Sequence, residues 1–317
     1  GSRCIVFGPV SELHDALAGL DAVEIVDAPV EIANTEEPAA AVRAKRDASI
    51  VQAAAAVADG RADALVSAGS TGAALAASLL GMKRMRGVYR PALAVLLPVP
   101  GRPVLLLDIG ATVEVRPEQL VQFAFMGAAF MERVIGVERP RVGLLNVGEE
   151  PQKGTPAAAD AHAALAALDR APFSWAGNVE GGGLTAGEAD VVVTDGFTGN
   201  VALKAVEGTA ITVMGAVRDA VRSGPVSTLG GLLIRKKARR LRDELNQDAV
   251  GAGILLGLRG LAFVTHGDAT PVGVSTAVRL AHRAVEEGVV ERTEAALRES
   301  GALASASAAA VSVVSGS

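Results

Sequence analysis

The sequence predicts an α/β fold, a doubly wound and mostly parallel sheet with helices on both faces. Apolar runs rich in Val and Leu alternate along the chain with segments of helical periodicity. Several of these runs carry no alternating polar residues, as expected for strands that are buried on both faces. Half of the residues are hydrophobic and only 3% are aromatic, so the core must rest on aliphatic side chains. Strand–helix–strand alternation of this kind is typical of a parallel sheet covered on both sides.

The predicted elements follow from these two patterns. Short apolar runs predict strands at 4–7, 64–67, 92–98, 103–108, 141–148, 189–195 and 261–266. Apolar residues at three- and four-residue spacing predict helices at 38–58, 71–82, 117–135, 155–169, 200–222, 228–245 and 270–286. We expect residues 1–303 to form a single α/β domain with a helical protrusion at 225–250. The low-complexity segment 304–317 is expected to be a tail.

Composition excludes several classes of function. The net charge of −5 gives no general attraction for nucleic acid. The single cysteine, Cys4, excludes an internal disulfide framework or a cysteine zinc site, and is typical of a reducing, cytosolic setting. Clustered carboxylates and a His-x-x-x-His pair are absent from the sequence, so no metal site is expected. His14, His162 and His282 lie in polar helical contexts and are expected at the surface.

Other motifs are missing as well. No lysine of the Walker type follows the glycines at 69–72, and no GxGxxG follows an early strand, so neither a P-loop nor a dinucleotide cofactor is expected. The sequence holds no apolar run of membrane-spanning length and no signal-peptide pattern.

Small polar residues collect where the predicted strands end. Ligands of open α/β sheets bind beyond the carboxyl ends of the strands, so five such loops predict one shared site that favours small groups and bare backbone N–H. The fifth loop, after 261–266, contains His266. The candidate binding residues in the other four loops are Ser67, Gly69, Ser70, Thr71, Gly72, Asp108, Gly110, Thr112, Asn146, Asp195, Gly196 and Gly199.

Two of these loops have competing interpretations. Residues 70–72 could bind an anion through the unpaired N–H groups at a helix start, or Ser70 or Thr71 could simply cap that helix. Asp108 could orient a cation or a hydroxyl group, or it could close a turn. The sequence leaves both alternatives open.

Asn200 and Lys204 are a further pair of candidate residues. They lie one turn apart at the start of the predicted helix 200–222, so both can face one point. A lysine in an otherwise apolar first turn opposes the helix dipole unless an anion is near, which favours a functional role. The alternative is a solvated surface lysine. His266, at the end of the last predicted strand, is by itself more typical of a structural histidine.

Residues 228–245 differ in kind from the other helices. Leucines recur at helical spacing and basic residues fill the remainder, which predicts a basic amphipathic helix. Such a helix contacts an anionic membrane surface or an acidic carrier protein, or it is a surface or dimer-interface helix that buries only its leucine stripe. The candidate contact residues are Leu232, Leu233, Arg235, Lys236, Arg239 and Arg240.

These loops, in this order, resemble the bacterial phosphate acyltransferase family of phospholipid synthesis. The resemblance covers about residues 40–285. It is carried by ADALVSAGSTGA, LLDIGATVEVRPEQLVQFAFMG, RVGLLNVGEE, GNVEG and, most specifically, DGFTGNVALKAVEG. It implies a fold related to phosphotransacetylases and a cytoplasmic homodimer attached peripherally to the membrane. The implied reaction, which uses no cofactor, joins inorganic phosphate to an acyl group from acyl carrier protein.

The implied reaction gives the candidate residues chemical roles. An esterified phosphate has a second pKa of roughly 6 and that of free phosphate is similar, so much of the substrate is dianionic at neutral pH. Phosphate therefore needs charge neutralisation and correct orientation more than a general base. We expect Lys204 and residues 70–72 to hold phosphate. Asn200 or Asn178 is expected to polarise the thioester carbonyl, and His266 to protonate the leaving thiolate.

Three departures from the family pattern matter. The family usually has Asn where Ser70 and Thr112 stand, and both replacements shorten the reach of the side chain. The family's first strand and its Gly-rich loop are expected to be missing from the printed chain. Two other functions stay open. One is acyl transfer with coenzyme A, as in phosphotransacetylases, which the basic helix disfavours. The other, which these departures favour, is a catalytically weakened relative that binds an acyl carrier or a membrane.

Overall fold

The structure, a computed structural model, describes residues 2–97, 99, 102–244, 251–265, 267 and 269–303. Its strands are β1 (Cys4–Gly8), β2 (Val23–Asp27), β3 (Ala64–Ser67), β4 (Ala92–Leu97), β5 (Val104–Leu107), β6 (Arg141–Leu145), β7 (Ser174–Val179), β8 (Val191–Val193), β9 (Gly253–Leu256) and β10 (Leu261–Val264). Among the described residues no helix is both long and apolar enough to cross a membrane.

The helices are α1 (Val10–Ala16), α2 (Pro38–Ala44), α3 (Ser49–Ala58), α4 (Thr71–Gly81), α5 (Pro117–Phe130), α6 (Pro156–Ala166), α7 (Gly183–Ala186), α8 (Gly196–Arg222), α9 (Pro225–Glu244), α10 (Pro271–Glu286) and α11 (Val289–Glu299). A wider π-type turn, Met131–Ile135, extends α5. The segment 38–58, predicted as one helix, breaks between Ala44 and Ser49. The helix predicted at 200–222 begins four residues earlier.

Eight strands form the main sheet in the order β3-β10-β9-β4-β5-β8-β6-β7, and β1 and β2 form a separate parallel pair. The predicted α/β class is confirmed, but the sheet is mixed. Four of its seven pairings are parallel, and the three antiparallel ones connect β10, β9, β4 and β5 in succession. It follows that β3 and β10 run opposite to β5, β6 and β8.

Apolar clusters cover both faces of the main sheet. One face packs against α5, α6, α10 and α11. The other face carries two clusters, one shared with α2, α3 and α4 and the other with α7 and α8. Leu93 belongs to the first of these and Leu97 to the second, and residues four apart on a strand point to the same side. The helices α4 and α8 therefore cover the same face of the sheet.

A partly buried ion pair, centred on the buried side chain of Asp190, lies where β6 and β8 begin. The Asp190 carboxylate accepts hydrogen bonds from the backbone N–H and the guanidinium of Arg141, and lies 3.3 Å from Nη1 of Arg102. Burial alone would raise the pKa of Asp190. The bonds and charge of Arg141, together with the charge of Arg102, outweigh burial and hold that pKa below its ordinary value. This pairing fixes the start of β6 against β8.

Candidate functional site

The loop after β5 is built around Asp108, whose side chain is fully buried. Its Oδ1 accepts hydrogen bonds from the backbone N–H groups of Leu93, Gly110 and Ala111, and Oδ2 accepts one from Thr112 at 2.6 Å. Burial raises the pKa of Asp108, and these four bonds oppose that rise. A carboxylate engaged by four backbone donors closes a turn, so the structure favours that interpretation over orientation of a cation or hydroxyl group.

The start of α8 is seated on this loop. Gly196 donates its N–H to the Thr112 carbonyl at 2.8 Å, and the Asp195 side chain caps the helix by accepting from the N–H of Thr198. A Cβ at Gly196 would lie 2.8 Å from the Thr112 oxygen, and a Cβ at Gly199 would overlap the Asp108 carbonyl. The two glycines of the DGFTGN segment are therefore required for the close approach of the helix to the loop.

Thr112 places a buried hydroxyl at the junction between the Asp108 loop and the start of α8. It is only 8% exposed, yet its hydroxyl has no hydrogen-bond partner in the part of the chain that the structure describes. A buried hydroxyl without a partner costs about 1–3 kcal/mol. The Thr112 hydroxyl is thus a buried polar group beside the start of α8 for which the described residues offer no partner.

The outer side of α8 carries Asn200 and Lys204, both exposed. Because the helix begins at Gly196, Lys204 lies in its third turn, and the expectation of a lysine in the first turn was wrong. Its Nζ is 2.8 Å from Oε2 of Glu207. The anion that faces Lys204 in this structure is therefore a neighbouring carboxylate. Asn200 and Lys204 do lie one turn apart on a single helix, as predicted.

The loop after β3 is a capped helix start. Ser70 is the N-cap of α4 and its Oγ accepts a hydrogen bond from the N–H of Ala73 at 3.4 Å. The Oγ of Ser67 accepts one from Gly69, and Thr71 is exposed. A Cβ at Gly72 would contact the Pro38 ring. The structure therefore contains the capping hydrogen bond from Ala73 to Ser70, at a length near the limit for a hydrogen bond.

The predicted site loops do not share one edge of the sheet, because β3 and β10 run opposite to β5, β6 and β8. The loops after β5 and β8 meet directly, as described above. The loop after β3 leaves beside β10, where the Thr265 N–H donates to the Ser67 carbonyl. Ile109 connects these regions, since it packs against both apolar clusters on the face covered by α4 and α8. The loop holding Asp108 therefore lies between these two helices.

A third group of residues orders the segment 146–154 after β6. Asn146 accepts from the Val147 N–H and donates to the Lys153 carbonyl at 2.9 Å. Asn178, buried on β7, donates to the Glu150 carbonyl at 2.8 Å and lies 3.0 Å from Nδ1 of His162. The amide of Asn178 is thus engaged at both ends within the protein. His162 is buried, so its expected surface position was wrong.

The remaining histidines add little to this site. His14 and His282 are exposed, as expected. His266 lies outside the described residues. Within the described ranges, no group of three or more His, Cys, Asp or Glu side chains is arranged to hold a metal ion.

Comparison with known proteins gives three kinds of similarity. A family model described as "Fatty acid synthesis protein" matches residues 2–292. A protein named phosphate acyltransferase from Heliobacterium modesticaldum is 43% identical over 279 residues, 88% of this chain and 82% of that protein. One of the same name from Desulfitobacterium hafniense is 42% identical over 270 residues, 85% of this chain and 80% of that protein.

Solved structures share the fold at low sequence identity. EutD phosphotransacetylase from Staphylococcus aureus aligns with a TM-score of 0.54 and 14% identity, over 92% of this chain and 86% of that one. A branched-chain phosphotransacylase from Enterococcus faecalis aligns with a TM-score of 0.53 and 15% identity, over 90% of this chain and 99% of that one. The expected relation to the phosphotransacetylase fold is confirmed.

Proposed function

The chain belongs to the fatty acid synthesis protein family, and on that premise we propose that it transfers an acyl group from acyl carrier protein to inorganic phosphate. The observation that carries this proposal is the identity of 41–43% with proteins named phosphate acyltransferase over most of both chains. The product is an acyl phosphate for phospholipid synthesis. The chain is thus an acyltransferase, with acyl carrier protein as the proposed donor.

The reaction needs few chemical groups from the protein. An oxygen of the phosphate dianion attacks the thioester carbonyl, the C–O bond forms, and the carbonyl oxygen becomes an oxyanion. Collapse of this intermediate breaks the C–S bond, and the thiolate leaves and takes a proton. The protein must hold phosphate against the carbonyl, and it must stabilise the oxyanion with fixed donors.

The junction between the Asp108 loop and α8 supports this chemistry. The Thr112 hydroxyl is a buried donor with no partner among the described residues, which suits a phosphate or carbonyl oxygen. The two segments that meet here also carry exposed apolar side chains: Val113 directly follows Thr112, and Phe197 and Val201 on α8 are 63% and 52% exposed. Polar and apolar groups on the same two segments suit a donor that joins an acyl chain to a polar thioester.

The proposal assigns a role to each candidate residue. Lys204 contributes positive charge for phosphate by exchanging its partner Glu207 for the substrate, and Asn200, one turn away, polarises the carbonyl. The start of α4, with Ser70, Thr71 and Gly72, follows a strand that runs opposite to β5 and β8; it is proposed as an alternative phosphate contact to Lys204, because helix starts favour anions. His266 is the proposed proton donor to the leaving thiolate.

The α8–α9 pair supports a further part of the proposal, peripheral attachment of a homodimer to an anionic membrane. Among the described residues, α9 makes its main contact with α8, and Val226, Leu229, Leu232 and Leu233 belong to none of the three apolar clusters. Val226 and Leu233 are 84% and 82% exposed. Leu229, Leu232 and Leu233, the leucines of α9 whose exposure the structure describes, are thus not buried within this chain. Basic residues beside exposed leucines favour an anionic surface as the contact.

A hydroxamate assay tests the proposed reaction. Hydroxylamine converts acyl phosphate to acyl hydroxamate, and the protein is supplied with phosphate and either acyl carrier protein or coenzyme A donors. We expect hydroxamate that depends on phosphate and forms faster with acyl carrier protein. Faster reaction with coenzyme A would contradict the proposed donor. No hydroxamate with either donor would favour a non-catalytic binding protein.

A further inference from the structure

His162 on α6 is buried in a small polar cluster. Its ring meets the Trp175 ring edge-on, with centroids 5.4 Å apart. Its Nδ1 lies 3.0 Å from Oδ1 of Asn178, and the Asn178 amide nitrogen lies 2.8 Å from the Glu150 carbonyl oxygen. Three separate parts of the chain, α6, β7 and the segment 146–154, are therefore joined by two consecutive hydrogen bonds.

The chemistry of these groups fixes the direction of both bonds. A backbone carbonyl can only accept, so the NH2 group of Asn178 must face Glu150. The Asn178 oxygen then faces His162, which must donate from Nδ1. The histidine is therefore held with hydrogen on Nδ1, an assignment that rests on the hydrogen-bond network and not on an observed hydrogen atom.

The segment 146–154 lies beside the start of α8. Residues Leu144 of β6 and Val193 of β8 are paired in register. Asn146 and Asp195 each follow two residues later, so the two loops leave neighbouring strands about 4.8 Å apart. The segment is held in shape by Asn146 from within and by Asn178 from β7. A residue that holds the Asn178 side chain in place therefore also holds the segment 146–154 beside the candidate site.

We propose that His162 is a positioning residue for acyl transfer. It donates from Nδ1 to Asn178, which in turn holds the Glu150 carbonyl and so orders residues 146–154 beside the start of α8. This inference rests on the proposed function, since it assigns His162 to the same site. His162 itself contacts no reacting atom; a displacement of about 1 Å at a site costs up to about 100-fold in rate.

Two replacements of His162 distinguish its hydrogen bond to Asn178 from the packing of its ring against Trp175. His162→Phe keeps a ring against Trp175 and removes the donor, whereas His162→Asn removes the ring and keeps an N–H donor at the equivalent position. We expect kcat/KM for phosphate to fall about ten- to hundred-fold in His162→Phe and to recover most of this loss in His162→Asn. Amide hydrogen exchange of residues 147–153 should quicken in the Phe variant alone.

Other results would overturn the proposal. Unchanged kinetics in His162→Phe, or equal losses in both variants, would show that the histidine only fills space. If either variant fails to fold, nitrogen NMR of the wild-type protein decides, because hydrogen on Nε2 instead of Nδ1 contradicts the proposed bond. A wild-type protein that makes no acyl phosphate would contradict the proposed function alone, while hydrogen exchange and NMR still test the His162–Asn178 link.

Discussion

Gly199 packs against the backbone of Asp108 so closely that a side chain at position 199 would overlap the Asp108 carbonyl oxygen. This contact joins the first turn of α8 to the loop that follows β5. Asp108 holds its own loop through four backbone N–H groups. The position of α8, which carries Asn200 and Lys204, therefore depends on the absence of a Cβ at Gly199 as well as at Gly196.

Replacement of Gly199 tests this contact. We expect Gly199→Ala to lower the free energy of unfolding by about 1–3 kcal/mol, because the helix must move away from the loop. Urea denaturation measures the change. Gly208→Ala, also in α8, is the control: its Cβ would meet nothing within 4 Å, so it should stabilise the helix by about 0.5–1 kcal/mol. Equal effects in the two variants would contradict the packing argument.

The Thr112→Val variant tests whether the buried Thr112 hydroxyl serves stability or activity. Valine has the same shape and removes a buried hydroxyl that has no partner among the described residues, so stability should stay the same or rise by about 1–3 kcal/mol. If the hydroxyl binds substrate, the same variant loses acyl phosphate formation by about ten-fold or more, as expected for one lost hydrogen bond to a charged group.

Thr293→Val on α11 is the matched control for this experiment. Thr293 also has a buried hydroxyl for which the described part of the chain offers no partner, but it lies on the other face of the sheet. It should gain stability without losing activity. A Thr112→Val protein with full activity would remove Thr112 from the site.

Lys204→Ala tests the proposed phosphate contact. Loss of a charged hydrogen bond worth about 1.5–3 kcal/mol should raise the KM for phosphate about ten- to hundred-fold, or abolish turnover. Lys45→Ala is a suitable control, because Lys45 also lies 2.8 Å from a carboxylate, that of Glu36, and is not a candidate site residue. Wild-type phosphate kinetics in Lys204→Ala would exclude this role for the lysine.

Charge reversal on α9 tests membrane attachment. A basic residue near an anionic surface contributes about 1 kcal/mol of binding free energy. We expect a variant with glutamate at four positions of α9 to dissociate from anionic vesicles in a flotation assay. The four positions are Arg235, Lys236, Arg239 and Arg240.

The control carries four reversed charges elsewhere on the exposed surface, and should still bind these vesicles. Its positions are Arg43, Arg46, Arg61 and Arg170. Vesicle binding that survives reversal on α9 would contradict the membrane contact and leave α9 as a dimer or core element.

The apolar strands were predictable because continuous Val and Leu runs such as those of β5 and β8 have few alternatives to burial on both faces. The direction of each strand was not predictable, because the local sequence does not show which strands pair or whether they pair parallel or antiparallel. β7, whose sequence is SWAGNV, was missed because small and polar residues break its pattern, and Gly177 adopts a positive φ of 84° there.

The candidate site was only partly predictable. Small residues at the strand ends predicted the loops of Asp108, Thr112 and Asp195, because the start of α8 packs closely on the Asp108 loop and leaves no room for larger side chains. The burial of His162 was not visible, since it depends on Asn178 and Trp175 from another part of the chain. The true start of α8 was missed because glycines at 196 and 199 oppose helix formation locally and are tolerated only through tertiary contact.

Phosphorus NMR of the reaction mixture tests the central claim most directly. Inorganic phosphate and acyl-[acyl carrier protein] are incubated with the protein, and the appearance of a separate acyl phosphate signal is followed with time. The account predicts that this signal grows only when protein and thioester donor are both present, and grows much more slowly with Lys204→Ala. A spectrum that shows inorganic phosphate alone, with either acyl carrier protein or coenzyme A as donor, would contradict it.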